Sequence, residues 1–397
     1  MQIPRDDYLS LLEAGRDRND VIKVITGMRR SGKSTLLEQY AARLKEQGIS
    51  DNSIFMINFE DTEWQYITDH TILNEWISDN IPKKGQCYVF LDEVQNVDGW
   101  ERSVSGLQNK KNCDVYITGS NSKMLSSELA THISGRYTEI KVMPLSFSEY
   151  LKLRPSEDIE GRFRQFLTYG GLPAVDPDAD RRFSGGLLEG IFNTVLVKDI
   201  LSRLKTDDVS KLTAIARFLY SNIGNTTNID SIAEATGISN PTVSKYVDEM
   251  CKAFLFYHAE RYDVVGKKIL KTNGKYYASD LGMRNVMLGG PSAGDISRPL
   301  ENVVYLELLR RGYEVRVGSY RDCEVDFTAS DSEGTEYFQV CQTMMAEDTY
   351  EREMRPFKGM RDNYPKTVLT LDRLGLGSDE GVRVVNVIDW LLDVPSP

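Results

Sequence analysis

Short apolar runs alternate along this chain with stretches of helical spacing, a pattern that predicts an α/β fold with a parallel sheet and crossover helices. A mainly apolar run from Val21 to Ile25 leads into Gly27-Met28-Arg29-Arg30-Ser31-Gly32-Lys33-Ser34-Thr35. Leu36, Leu37, Tyr40, Ala41 and Leu44 then keep the spacing of a helix face, which makes the glycine-rich segment a loop between strand and helix. Three further runs read as strands. Ser53–Phe59 ends in Asn58-Phe59-Glu60-Asp61, Tyr88–Leu91 ends in Asp92-Glu93, and Asp114–Thr118 ends in Gly119-Ser120-Asn121-Ser122. Tyr8, Leu9, Leu11 and Leu12 mark a helix ahead of the first strand.

Gly27 to Thr35 carries the chemistry of a phosphate-binding P-loop (Walker A). Glycines let backbone N–H groups turn inward at a helix N-terminus, Lys33 adds a cation, and the Ser34 hydroxyl suits Mg²⁺. Tyr88-Val89-Phe90-Leu91-Asp92-Glu93 reads as a Walker B strand. A buried parallel strand is apolar on both faces, so its first charges emerge at the carboxyl edge, where open α/β sheets bind ligands. Asp92 is the candidate metal ligand and Glu93 the candidate general base. One strand between the two motifs and another with a polar end after them is the order of the additional-strand ATPases. In that order Ser120 or Asn121 stands beside the γ-phosphate as a sensor; as good turn residues, the same pair could also form a plain turn.

Composition narrows the setting. At 397 residues, with 41% hydrophobic and 27% charged residues, the chain is long enough for two or three globular domains. A polar start and the lack of an apolar run near membrane-spanning length predict a cytoplasmic protein with no membrane partner. Cys87, Cys113, Cys251, Cys323 and Cys341 are scattered, as are His70, His132 and His258, which suggests neither a disulfide frame nor a zinc site. A net charge of −11 argues against nonspecific coating of nucleic acid, though not against one local basic face.

Residues 154–206 are helical in pattern, interrupted at Gly170–Pro173, and are expected to form a lid. Over 207–289, Ile229, Ile232, Ala233 and Ala235 suit a short helix, Gly237 a turn, and Ser239-Asn240-Pro241 the start of a second helix. The runs Ala253–His258 and Lys275–Ala278 then read as wing strands. Base contacts from this helix-turn-helix would rest on Asn240, Thr242 and Ser244; Lys245 is a further candidate DNA contact, on a helix whose charge is balanced by Asp248 and Glu249. Phosphate contacts would rest on Lys267, Lys268, Lys271 and Lys275, making duplex DNA a candidate partner, with a structural or protein-binding role as the alternative.

The strings 27–35, Leu91–Gln95, Thr118–Ser122, Ser134-Gly135-Arg136 and Pro144–Tyr150 resemble the prokaryotic AAA-type ATPases that carry a C-terminal domain of unknown function. Gly170-Gly171-Leu172-Pro173, Lys275-Tyr276-Tyr277, Asp280-Leu281-Gly282 and Glu301–Glu307 extend the likeness. The resemblance implies a core over 1–153 that uses ATP with Mg²⁺ and assembles as a homo-oligomer, then the lid, a winged helix and a restriction-endonuclease-like fold over 290–397. It also implies a γ-phosphate arginine at Arg136, acting in its own or a neighbouring subunit.

The order of elements after Arg298 is similar to the PD-(D/E)XK nuclease core. Glu301 and Asp326 match its acidic ligands and Gln339 is tolerable, but Cys341 stands where the lysine should be. A thiol supplies no fixed positive charge, so this domain is expected to be inactive unless Lys358 or Lys366 migrates into the site. Three functions remain in view: an ATPase acting on or near DNA, a nucleotide-operated scaffold for a protein partner, and an ATP-dependent nuclease.

Overall fold

The computed structural model describes residues 3–125, 135–204, 208–291, 296–360 and 362–394; the side chains of Lys123, Leu125, Lys271 and Thr272, together with His132 and Ser134, lie outside that description. The chain forms two compact units, Met1–Pro144 with Lys252–Phe254, and Leu145–Cys251 with Leu255–Pro397.

In the first unit, α1 (Asp6–Ala14), β1 (Ile22–Thr26), α2 (Lys33–Glu46), β2 (Ile54–Asn58), α3 (His70–Asn80), β3 (Cys87–Asp92), α4 (Trp100–Asn109), β4 (Cys113–Gly119) and β5 (Tyr137–Lys141) follow in order. The sheet is parallel throughout, in the order β2-β3-β4-β1-β5. Strand β4 therefore lies between the P-loop strand and the Walker B strand, as the additional-strand order requires. β1, β3 and β4 are buried along their whole length because both faces are covered. Leu73, Ile77, Val104 and Leu107 from α3 and α4 pack in one apolar cluster, and Leu9, Leu12, Leu36 and Leu44 from α1 and α2 in another. Lys23 is tolerated in β1 because its ammonium is ion-paired with the equally buried Asp114.

The second unit opens with α5 (Phe147–Leu153), α6 (Ile159–Tyr169) and α7 (Arg181–Thr194), the last running into a π-helical segment, Val195–Leu201. Then come α8 (Val209–Ser221), β6 (Thr226–Thr227), α9 (Ile229–Thr236), α10 (Asn240–Lys252), β7 (Phe256–Asp263), β8 (Lys268–Ala278) and α11 (Leu281–Met287). The remainder is α12 (Ser297–Arg310), β9 (Glu314–Tyr320), β10 (Cys323–Ser330), β11 (Thr335–Cys341), α13 (Glu347–Met354), β12 (Lys366–Thr370), β13 (Gly377–Asp379), β14 (Val382–Asn386) and α14 (Val387–Leu391).

One sheet runs through all of its strands in the order β13-β14-β12-β11-β10-β9-β7-β8-β6. The junction is β7 against β9, parallel, with Arg261 opposite Val317 and Asp263 opposite Ser319. Expected boundaries at 153, 206 and 289 do not coincide with a break between compact units: the units part after Pro144, and the boundary at 289 falls inside this sheet. Strand pairing explains the merger, since each edge otherwise leaves a row of N–H and C=O groups unsatisfied.

Two of the sequence strings meet around Asp280. Its carboxylate accepts from Gly171 N–H at 2.8 Å and Met283 N–H at 3.0 Å, tying the end of α6 to the start of α11. A Cβ on Gly282 would stand 2.0 Å from Tyr169 O, so glycine is required by close approach there.

Candidate functional site

β1 ends at Thr26 because Gly27 turns the chain at φ +145°, where a Cβ would stand 2.1 Å from Val142 O. Arg30 follows at φ +68°, and Gly32, at φ +99°, opens α2. The buried Arg5 guanidinium, over the Tyr8 ring, donates to Ser31 O at 3.2 Å and Met143 O at 3.1 Å and so braces the loop. The unsatisfied N–H groups of the first turn of α2 supply the positive end of the helix dipole beside it. Lys33 is buried, with Nζ 3.1 Å from Gly27 O, 3.2 Å from Met28 O and 3.7 Å from Glu93 Oε1. Arg29 pairs with Glu60 at 2.8 Å, while Arg30 is exposed and Met28 buried.

Strand register brings the acidic pair to the same edge. Thr118 lies opposite Ile25 and Gly119 opposite Thr26, while Leu91 lies opposite Ile117, so Asp92 reaches the level of Thr118. Thr118 Oγ1 donates to the Asp92 carboxylate and accepts from Glu93 N–H at 2.8 Å. Burial raises the Asp92 pKa above its ordinary value, against hydrogen bonds from Thr118 and Ser34 and the charge of Lys33. A carboxylate left short of positive charge beside the Ser34 hydroxyl is a hard-oxygen set that fits Mg²⁺. Among the described residues no group of three or more His, Cys, Asp or Glu side chains is arranged to hold a metal, so the protein offers only part of a coordination shell.

Glu93 sits in the left-handed region at φ +53°, buried, with Gln95 Nε2 donating to its Oε2 at 2.5 Å. Strain of this kind in a non-glycine residue gathers at functional sites. Ser120 and Asn121 continue from Gly119, opposite Thr26, and are fully buried. Thr118, Gln95 and Arg5 escaped the sequence reading. Thr118 ends a strand in polar character, but its level with Asp92 comes only from the strand register; Arg5 carried no local signal.

Arg136 is not at this edge. It is exposed and precedes Tyr137, which lies opposite Ile22 at the amino end of β1. The loop leaves the other end of that strand, about 13 Å away at the usual rise per residue. Its main-chain oxygen accepts from Ile22 N–H at 3.0 Å and Gln108 Nε2 at 3.2 Å. Arg136 and the P-loop thus stand at opposite ends of β1.

In the second unit Asn240 donates to Asp230, and Thr242 shares a 3.0 Å hydrogen bond with Ser239, while Ser244 and Lys245 are exposed. Lys267 and Lys268 are exposed at the β7–β8 turn. Lys275 is a correction to the expected basic wing, being only 4% exposed. It points instead at the nuclease-like acids, with Nζ 2.9 Å from Glu301, 2.8 Å from Glu324 and 4.0 Å from Asp326. Burial opposes its charge, but the three carboxylates outweigh that and raise its pKa. Burial and the neighbouring Glu301 hold the Asp326 carboxyl well above its ordinary value. Gln339 Oε1 accepts from Asp326 N–H at 3.2 Å, and the Cys341 thiol is pushed up to about 12 by burial. Lys358 and Lys366 pair elsewhere, with Glu351 at 2.8 Å and Asp362 at 3.1 Å.

Residues 19–151 match the family model of an AAA domain, and residues 160–293 match a domain of unknown function, DUF8612. An uncharacterized protein of Haemophilus influenzae is 40% identical over 98% of this chain and 98% of its own length. An uncharacterized protein of Methanocaldococcus jannaschii is 29% identical over 93% of this chain and 85% of its own. Among solved structures, a STAND (signal transduction ATPase with numerous domains) protein with a tetratricopeptide repeat sensor from Pyrococcus horikoshii overlaps at TM-score 0.30 and 13% identity, covering 78% of this chain and 45% of that one. The chain thus spans less than half the length of that protein. The Aeropyrum pernix ORC1 protein, solved in complex with DNA, overlaps at TM-score 0.30 and 11% identity, covering 72% of this chain and 93% of that one. Among the described residues no helix is long and apolar enough to cross a membrane.

Proposed function

Since the chain belongs to one family with the Haemophilus influenzae protein and carries an AAA domain, we propose that it binds ATP with Mg²⁺ and hydrolyses it. The observation that carries this reading is the meeting of the Gly27–Thr35 loop with Asp92 and Glu93 at one sheet edge, with Lys33 3.7 Å from Glu93. Loop N–H groups and Lys33 hold the β- and γ-phosphates. Ser34 and Asp92 would hold Mg²⁺, which would neutralise developing phosphate charge. Glu93 takes a proton from the attacking water, and Thr118 holds the main chain of Glu93 beside Asp92. Ser120 and Asn121 face the γ-phosphate as polar sensors. Glu93→Gln should keep nucleotide binding and lose about 10² to 10⁴ in turnover; turnover at the wild-type rate would refute the assignment.

The arrangement of α8, β6, α9, α10 and the β7–β8 hairpin, with β8 between β7 and β6, supports a winged helix. Exposed Lys245, Lys267 and Lys268 would meet duplex DNA phosphates, with Ser244 toward the bases. Arg136, at the far edge of its own sheet, would serve a neighbouring subunit's phosphate in a homo-oligomer. The run of α12, β9, β10 and β11 supports a PD-(D/E)XK-like element without cleavage activity.

A further inference from the structure

Lys275 leaves β8 and reaches acids on two other elements. Glu301 stands on α12, and Glu324 and Asp326 on β10, with Nζ 2.9, 2.8 and 4.0 Å from their oxygens. Tyr277, two residues along β8 and therefore on the same face, donates to Glu301 Oε1 at 2.7 Å. Val340 N–H donates to Asp326 Oδ2 at 2.9 Å. Every acid of the nuclease-like site is thus engaged by the chain itself.

We propose that the Lys275 ammonium occupies the cation position of this pocket, so that the unit carries its own counter-ion and takes up no divalent metal. The Mg²⁺ that a PD-(D/E)XK site implies does not fit the residues as they stand. In such a site the lysine works beside the metal; here it bonds the oxygens a metal would need, and Gln339 and Cys341 are held within the sheet. Among the described residues no metal-holding group of acids forms. A cation drawn from the hairpin has a structural consequence as well. It ties β8 to α12 and β10, across the part of the sheet where β7 meets β9.

Lysine removal should turn the pocket into a metal site, because the buried Asp326 and the half-buried Glu301 and Glu324 would be left without a cation. Mn²⁺ binding is read by electron paramagnetic resonance on nucleotide-free full-length protein: wild type, Asp326→Ala, Lys275→Met, Lys275→Arg and the Lys275→Met/Asp326→Ala double variant. Lys275→Met should gain one equivalent of bound Mn²⁺ over wild type, the double variant should lose it, and Lys275→Arg should match wild type. Mn²⁺ in the wild type that Asp326→Ala removes would overturn the proposal. So would a Lys275→Met protein that melts cooperatively yet binds no more than wild type. Should Lys275→Met fail to fold, the wild type and Asp326→Ala decide: equal Mn²⁺ binding supports the proposal, and a loss in Asp326→Ala overturns it.

Discussion

Two of the buried lysines, Lys33 in the first unit and Lys275 in the second, are held in opposite ways. Lys33 rests near loop carbonyls of Gly27 and Met28, with Glu93 at 3.7 Å, beside a helix N-terminus. Lys275 is locked at 2.8 to 2.9 Å onto two carboxylates, with a third at 4.0 Å. Main-chain carbonyls hold an ammonium weakly enough for a phosphate to draw it away; a cage of carboxylates does not. On the proposed reading, the same residue type serves a ligand in one unit and closes a pocket in the other.

Variants can break this contrast at either end, and the largest effect is expected at Gly27. With φ +145° and a Cβ 2.1 Å from Val142 O, Gly27→Ala should abolish nucleotide binding, measured by titration with a fluorescent ATP analogue. Next comes Lys275→Met, which strands the buried Asp326 beside the half-buried Glu301 and Glu324 and should cost about 3 kcal/mol of stability in denaturant melts. Wild-type stability would show that the ion cluster is dispensable.

Asp280 gives a comparable effect with a pH signature. Burial raises its pKa from 3.8 to about 6 in the fold. The native state then binds more protons than the unfolded chain between these values, so this residue's contribution to stability falls as pH rises from 4 to 6, by roughly 3 kcal/mol in all. Asp280→Asn should flatten that part of the melting profile. An unchanged slope would assign it to other groups.

The smallest effect belongs to the exposed lysines of the hairpin turn. Replacing Lys267 and Lys268 with alanine should lower duplex DNA affinity and reduce the salt slope by about 0.9 for each phosphate that a lysine no longer neutralises. Salt-independent binding, or none in the wild type, would favour a protein partner instead.

The first unit was largely legible because its signals are local. Periodicity gave the strands, and glycine spacing gave the loop. Thr118, bridging Asp92 and Glu93, was visible only once register aligned β3 with β4. The second unit was less legible because its decisive pairings are distant in sequence. Lys275 reads as one member of a basic run, and nothing beside it announces Glu301 or Asp326 as partners. Likewise no local pattern reveals that β7 pairs with β9 and merges two expected domains into one sheet. Arg136 shows a related limit, since a motif match carries no information on which end of a strand it occupies.

Nucleotide binding by Lys33→Ala and Lys275→Met, titrated side by side with ATP and Mg²⁺, tests the contrast most directly. Lys33→Ala should lose binding while Lys275→Met, folded, keeps wild-type affinity. ATP affinity that survives Lys33→Ala, or falls equally in both variants, would contradict the assignment of one lysine to the ligand and the other to the fold.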